Sequence, residues 1–190
     1  GAAMLSLRNG RDDGDNTEEP AMTGHGSARK HQGSSTAAGA GADSETIDAI
    51  EAEANSYFQK IYQQQLSLQD VVAMLQSFKA SDSKREREVY ACMIHNLFDE
   101  YRFFHKYPLN ELHITGVLFG LLIQHKLVSS FTLGLALRYV LEALRKPEDS
   151  KMFRFGMWAL EEFKSRLHQW PQYCSLIGQI QHLRSAHPDL

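Results

Sequence analysis

The chain has 190 residues and a formal net charge of −3, from 20 basic and 23 acidic side chains. Nucleic-acid binding depends mainly on neutralising phosphates, so this balance argues against it. Cys92 and Cys174 are too far apart for a zinc motif or a disulfide framework, which fits a reducing compartment. The longest apolar stretch, residues 116–123, is much shorter than the about 20 residues of a membrane-spanning helix. We therefore expect an intracellular soluble protein.

The first 44 residues differ in composition from the rest. They contain 8 of the 13 glycines and no aromatic residue, and the three residues ahead of Met4 resemble the remnant of an expression tag. Such a segment cannot bury enough apolar surface to offset about 1–2 kcal/mol of backbone entropy per residue. The composition predicts a disordered Gly/Ala/Ser-rich tail or linker over residues 1–44 and a folded domain over residues 45–190.

Beyond the tail, apolar residues recur at three- and four-residue steps, which is typical of amphipathic helices. The spacing predicts about seven helices, near residues 46–63, 67–80, 83–104, 111–126, 130–146, 150–169 and 172–185. No stretch has the alternation of a strand, so the fold class is all-α. The fourth helix is apolar on nearly all sides and should be central. Its Gly116 and Gly120 favour close packing against another helix.

Short connections make neighbouring helices antiparallel. Pairing them gives units over residues 45–80, 83–126 and 129–169, followed by a closing helix. These lengths approach the period of two-helix HEAT repeats, about 40–47 residues. The prediction is a stack of antiparallel helical hairpins, and an irregular helical bundle is the alternative.

No motif in the sequence indicates catalysis. The zinc-protease, phosphate-loop and nucleophile-elbow patterns are absent, and the nine histidines lack ligand-like spacing. We predict a protein that is not an enzyme and holds no metal or cofactor. Acidic and basic residues alternate over 84–88, which indicates a solvated face with local ion pairs. A phosphate-binding patch is the alternative interpretation of that run.

Two aromatic clusters suggest an interaction surface. Phe58 and Tyr62 lie four residues apart, beside the predicted core stripe of the first helix, and Phe103 and Tyr107 lie near the end of the third. If both clusters face one trough, that trough would accept an amphipathic peptide helix. The alternative is structural, because such rings often pack beneath a neighbouring helix.

Several blocks of the sequence resemble a known family. These are EANSYFQKIY at 53–62, KREREV at 84–89, NLFDEYRFF at 96–104, LALRYVLEALRKP at 135–147, SKM at 150–152 and PQYC at 171–174. They are similar to the tristetraprolin-binding domain of the large Not scaffold subunit of the CCR-NOT mRNA deadenylase complex. The QQQL sequence at 63–66 replaces a longer, proline-containing loop of animal relatives, so one groove edge differs.

The resemblance implies a HEAT-like scaffold without catalysis, on which RNA-binding proteins dock short linear motifs and so bring transcripts to the deadenylases. It implies a helical peptide in an aromatic groove whose walls correspond to Phe58, Tyr62 and Tyr107, with Phe103 as a further candidate. We expect a monomeric domain in the cytoplasm, and also in the nucleus, that joins other subunits through the rest of the scaffold. The alternatives are an RNA-binding repeat that uses Arg85 and Arg87, and a purely structural spacer.

Overall fold

The computed structural model describes residues 39–186, and the side chains of residues 45–185. In this part of the chain there are eight α-helices, two 3₁₀ segments and no strand, so the all-α prediction is confirmed. The helices are α1 Gly39–Tyr62, α2 Leu68–Ala80, α3 Lys84–Asp99, α4 Leu109–Gln124, α5 Ser130–Leu144, α6 Lys151–Phe163, α7 Pro171–Gly178 and α8 Gln181–Ala186. The 3₁₀ segments are Glu100–Lys106 and Lys164–Gln169. No helix within residues 39–186 has the length and apolar character needed to cross a bilayer.

The first helix begins earlier than predicted. The predicted tail over residues 1–38 lies outside the described residues, but α1 starts at Gly39, seven residues before the expected position 46. Ala40 and Ala42 are strong helix formers, and adding residues to an existing helix is much easier than nucleating a new one. The helix therefore extends backwards into a segment that composition alone assigned to the tail.

Serine caps fix four helix starts close to their predicted positions. Ser67, Ser83, Ser129 and Ser150 each accept a hydrogen bond from the backbone N–H three residues later. This bond satisfies one of the amide donors that the first turn of a helix leaves unpaired. The starts of α2, α3, α5 and α6 are thus set by local chemistry that is readable in the sequence.

Three of the predicted helices change character before they end. The third is α-helical only to Asp99 and continues as the 3₁₀ segment Glu100–Lys106. The sixth is α-helical only to Phe163 and continues as the 3₁₀ segment Lys164–Gln169. The predicted last helix is divided into α7 and α8 after Gly178, a residue that costs about 1 kcal/mol in a helix interior relative to alanine. The described part therefore has eight α-helices where seven were expected.

The tightest packing lies between α4 and α6, as the glycines of α4 predicted. A β-carbon added at Gly120 would lie 2.3 Å from the carbonyl oxygen of Ala159, and one added at Gly116 would lie 3.2 Å from that of Phe155. Most of α4 is buried, which confirms its central position. In the rest of the stack, α6 pairs with α5, and α3 packs on both α1 and α2. The described helices form an all-α stack. The hairpin predicted over residues 129–169 has its two helices, α5 and α6, in extensive contact, whereas α1 packs mainly on α3 rather than α2 and α4 mainly on α6 rather than α3.

Candidate functional site

The predicted site residues of α1 and of the turn after α3 come together. The rings of Phe58 and Tyr62 are stacked, with centroids 6.4 Å apart, and Tyr107 meets Tyr62 edge-on at the same distance. Phe104 extends the group, with its centroid 5.2 Å from that of Tyr107. We call these four residues the aromatic cluster. It joins α1 to the chain segment that leads into α4.

The prediction that these rings wall an open trough is wrong. Phe58 is 2% exposed, Tyr62 8% and Tyr107 0%, so all three belong to the core. The predicted core stripe of α1 consists of Ile47, Ile50, Ala54, Tyr57 and Ile61. Of these, Ile50, Ala54 and Ile61 are buried. Ile47, however, is 57% exposed and Tyr57 only partly buried, so the buried face is shifted towards Phe58 and Tyr62. Phe58 and Tyr62 consequently face the neighbouring helices, which is the structural alternative that the sequence left open.

Hydrogen bonds hold the two tyrosines in place. The Tyr62 hydroxyl pairs with Thr115 Oγ1 on α4 at 2.9 Å, and the Tyr107 hydroxyl donates to Glu100 Oε2 at 3.0 Å. Lys151 Nζ donates to the Tyr107 carbonyl oxygen at 2.8 Å. Burial raises the pKa of both tyrosines above the usual value, and the hydrogen bond between Tyr62 and Thr115 offsets only part of that rise at Tyr62. Both hydroxyls are therefore neutral donors at physiological pH.

Phe103 is the one predicted site residue with appreciable exposure. It is partly buried, and its ring lies between two cations, with the guanidinium carbon of Arg102 at 4.8 Å and Lys106 Nζ at 5.6 Å from the centroid. Cation–π contacts of this kind favour a fixed ring orientation. Phe103 thus offers an apolar surface that is bordered by positive charge, next to the aromatic cluster in the chain.

A basic pocket lies on the other side of Arg102 and was not predicted. It has a volume of about 490 Å³, and its cationic or ionisable lining residues are Arg102, His105, Arg145 and Lys146. Arg145 and Lys146 follow the last turn of α5, whereas Arg102 and His105 belong to the first 3₁₀ segment. Because the two pairs are 40 or more positions apart in the chain, only the fold brings them together.

A shallower apolar groove of about 350 Å³ lies between α3 and α5. Tyr90, Ile94 and Phe98 line one side, and Leu135 and Phe131 line the other. Phe131 is 85% exposed, which makes it the most exposed large apolar side chain among the described residues. Sequence analysis missed this ring because a single phenylalanine in the first turn of a helix carries no periodic signal.

The alternating charges at the start of α3 form local ion pairs, as expected. Lys84 pairs with Glu88 at 3.3 Å, and Arg85 pairs with Glu53 of α1 at 2.7 Å. The guanidinium of Arg87 donates to the Ser81 carbonyl oxygen at 2.6 Å. Both arginines of the run are thus occupied by protein acceptors. Within residues 45–185, no three His, Cys, Asp or Glu side chains are grouped as metal ligands would be.

Comparison with known proteins gives consistent matches. A family model described as "CCR4-NOT transcription complex subunit 1 TTP binding domain" matches residues 20–190. Over 141 residues, which are 74% of this chain and 7% of the relative, the chain is 50% identical to "General negative regulator of transcription subunit 1" of Schizosaccharomyces pombe. It is 39% identical over 130 residues to "CCR4-NOT transcription complex subunit let-711" of Caenorhabditis elegans, covering 67% of this chain and 5% of that protein.

A solved structure supports the same relationship. The chain superposes on the "N-Terminal domain of the yeast Not1" with a TM-score of 0.70 and 38% sequence identity. The match covers 73% of this chain and 26% of that structure. The chain therefore spans about a quarter of the solved domain, and 5–7% of the two relatives named above.

Proposed function

The chain belongs to the family of CCR4-NOT transcription complex subunit 1 TTP-binding domains, and from this premise we propose that it is a non-catalytic adaptor module of that complex. In this role it binds short amphipathic peptide motifs of tristetraprolin-like RNA-binding proteins. Binding recruits their mRNAs for deadenylation, decay and translational repression, a process that belongs to the cytoplasm. Other subunits of the complex are reached through the remainder of the parent scaffold.

The observation that supports this proposal is that aromatic rings of two separate elements meet at the boundary between α1 and α4. Tyr62 of α1 contacts Tyr107, which precedes α4, through ring edges. The most extensive contacts of α1 are with α3 rather than with α4. Side chains rather than close backbone contacts bridge this boundary, and it is here that we expect an amphipathic peptide helix to dock.

We place the peptide over Phe103 and along this boundary. Phe103 is accessible as it stands, whereas Phe58, Tyr62 and Tyr107 must turn partly outward to contact a ligand. Such a rearrangement costs free energy and so lowers the affinity, as does the ordering of a disordered peptide. We therefore expect an affinity on the order of micromolar.

The test is a binding titration of purified tristetraprolin against this chain by isothermal calorimetry. We expect saturable one-to-one binding, which Phe103→Ala weakens and Phe131→Ala leaves unchanged. Phe131 is the matched control, because it is also a surface phenylalanine but lies in the groove between α3 and α5. Absence of binding would overturn the proposed function, and equal effects of the two variants would place the site elsewhere.

The two alternatives make different predictions. Direct RNA binding through Arg85 and Arg87 would have to displace the acceptors that both guanidinium groups already hold. It would also show a steep fall of affinity with salt, which peptide docking on apolar rings does not require. A structural spacer would bind neither tristetraprolin nor RNA in the titration.

A further inference from the structure

The basic pocket has an excess of positive charge. Arg145 and Lys146 are exposed, and neither forms an ion pair with a described residue. Arg102 lies 3.4 Å from Asp99 in an exposed contact, which is a weak interaction. Three basic side chains, those of Arg102, Arg145 and Lys146, thus line one cavity, and the imidazole of His105 supplies a further N–H donor for an anion.

One carboxylate, Glu142, also lines the pocket and is shared with an arginine outside the lining. Glu142 Oε1 lies 2.8 Å from Nε of Arg138, one helical turn earlier on α5. The lining therefore holds one acidic side chain against the three basic side chains of Arg102, Arg145 and Lys146, so the pocket keeps a net positive charge. Arg145 and Lys146 also follow the C-terminal end of α5, where backbone carbonyls favour cations but satisfy only part of their charge.

We propose that the basic pocket binds an anionic side chain of a partner peptide, either a carboxylate or a phosphoryl group. Arginine recognises both groups through paired N–H donors, and clusters of arginines are a recurring means of binding acidic or phosphorylated motifs. This inference rests on the proposed peptide-binding function. It adds that the peptide carries an acidic or phosphorylated residue next to the apolar residue that contacts Phe103.

A peptide fits the pocket better than RNA does. Tyr101 is the aromatic residue of the lining, and its ring already stacks on Tyr139 with centroids 3.9 Å apart and planes 2° from parallel. Its hydroxyl donates to the Tyr139 carbonyl oxygen at 2.9 Å. One face of this ring is therefore already occupied, which reduces its capacity to stack on a base, the usual contact of single-stranded RNA. The residue charges from position 45 onward are also nearly balanced.

Arg102 connects the pocket to the proposed peptide surface. Its guanidinium packs on the Phe103 ring and also lines the pocket. A peptide helix whose apolar residue contacts Phe103 would therefore bring a residue of its next turn towards Arg102 and Arg145. An acidic or phosphorylated residue at that position gains charge-assisted hydrogen bonds, whereas a basic one is repelled.

The experiment is an amide chemical-shift titration of the whole chain with three probes. These are a hexaglutamate peptide, a Gly-phosphoserine-Gly peptide and a hexauridine RNA. We expect saturable shifts at the amides of Arg102, His105, Arg145 and Lys146 with at least one of the peptides, and weaker binding as salt increases. Saturation by hexaglutamate assigns carboxylates to the pocket, and saturation by the phosphoserine peptide alone assigns a phosphoryl group.

Charge-neutralising variants control for non-specific attraction. Replacing both cations after α5, Arg145→Gln with Lys146→Gln, should weaken the peptide interaction about tenfold. The control variant Lys84→Gln with Lys164→Gln removes the same number of positive charges from exposed positions outside the pocket. It should leave the affinity for the peptide unchanged. Circular dichroism verifies that both proteins are folded.

Three results would overturn the proposal. They are the absence of saturable shifts with both peptides, an equal loss of binding in the control pair, and binding of hexauridine at these amides that is as tight as that of either peptide. The probes contain no apolar anchor, so their binding does not depend on Phe103. A failure here is therefore distinguishable from a failure of tristetraprolin binding.

Discussion

The Tyr62 hydroxyl of α1 donates a hydrogen bond to Thr115 Oγ1 of α4, with 2.9 Å between the two oxygens. The direction follows from the next bond, because the Thr115 hydroxyl uses its own proton to donate to the Glu111 carbonyl oxygen at 2.7 Å. The two bonds form a chain that ties the first helix to the central one. They also fix the ring of Tyr62 so that Tyr107 meets it edge-on.

Removing this hydroxyl should have a measurable cost. We expect Tyr62→Phe to lower the free energy of unfolding by about 1 kcal/mol, since the ring stays packed while one buried hydrogen bond is lost. The measurement is the midpoint of urea denaturation. Tyr139→Phe is the control, because the Tyr139 hydroxyl has no hydrogen-bond partner among the described residues, and it should change stability by less than about 0.5 kcal/mol. Equal effects of the two variants would contradict the assigned role of the Tyr62–Thr115 bond.

The burial of Phe58 reverses the expected effect of Phe58→Ala on stability. As a wall of an open trough, it would be replaceable by alanine with little change in thermal unfolding. Because Phe58 is a core residue that is 2% exposed, Phe58→Ala should lower the free energy of unfolding by about 3–5 kcal/mol. Phe103→Ala serves as the comparison and should lose about 1 kcal/mol or less, because the ring is only partly buried. A stable Phe58→Ala protein would show that the aromatic cluster opens readily.

Local signals in the sequence were sufficient for much of the fold. The caps at Ser67 and Ser83 depend on atoms within three residues, and their helix starts were predicted correctly. Gly116 and Gly120 were assigned to close packing because a pair of small residues on one helix face permits it. Each of these features depends on a few neighbouring residues, so one sequence is enough to identify it.

The candidate site was harder to predict because it depends on contacts distant in the chain. A helical wheel gives the angle between Phe58 and Tyr57 but not which of them is fully buried in the core, which the fold decides. Arg102 and Arg145 likewise line one pocket although they are distant in the sequence, so no local sequence pattern predicts that they come together. The clustering of Tyr62 with Tyr107 was predicted correctly, and only their exposure was wrong.

Two glycines in helix interiors should respond oppositely to the same substitution. Gly120→Ala should destabilise the protein by about 3 kcal/mol, since the new β-carbon would lie 2.3 Å from the backbone oxygen of Ala159 and would force α4 away from α6. Gly134→Ala on α5 meets no atom within 4 Å and should stabilise by about 1 kcal/mol through helix propensity. Thermal unfolding of both variants is the measurement. A neutral Gly120→Ala would contradict the close α4–α6 contact.

Tyrosine ionisation should make the fold sensitive to alkaline pH. Burial raises the pKa of Tyr107 above its usual value, and the nearby Tyr62 and the carboxylate of Glu100 raise it further. Burial likewise raises the pKa values of Tyr62, Tyr101 and Tyr173. Below pH about 10 these groups are neutral in both the folded and the unfolded chain, so their contribution to stability is fully present.

As the pH rises above about 10, only the unfolded chain releases these protons, and stability falls. We therefore expect tyrosinate absorbance to increase in a cooperative step that coincides with the loss of the helical circular dichroism signal. In Tyr107→Phe the fall of unfolding free energy with pH should be shallower, because one fewer proton is released on unfolding. The control is Phe131→Ala, which removes no ionisable group and should leave that slope as in the parent chain. Tyrosinate absorbance that rises fully while the helical signal persists would show that these hydroxyls reach solvent in the folded state.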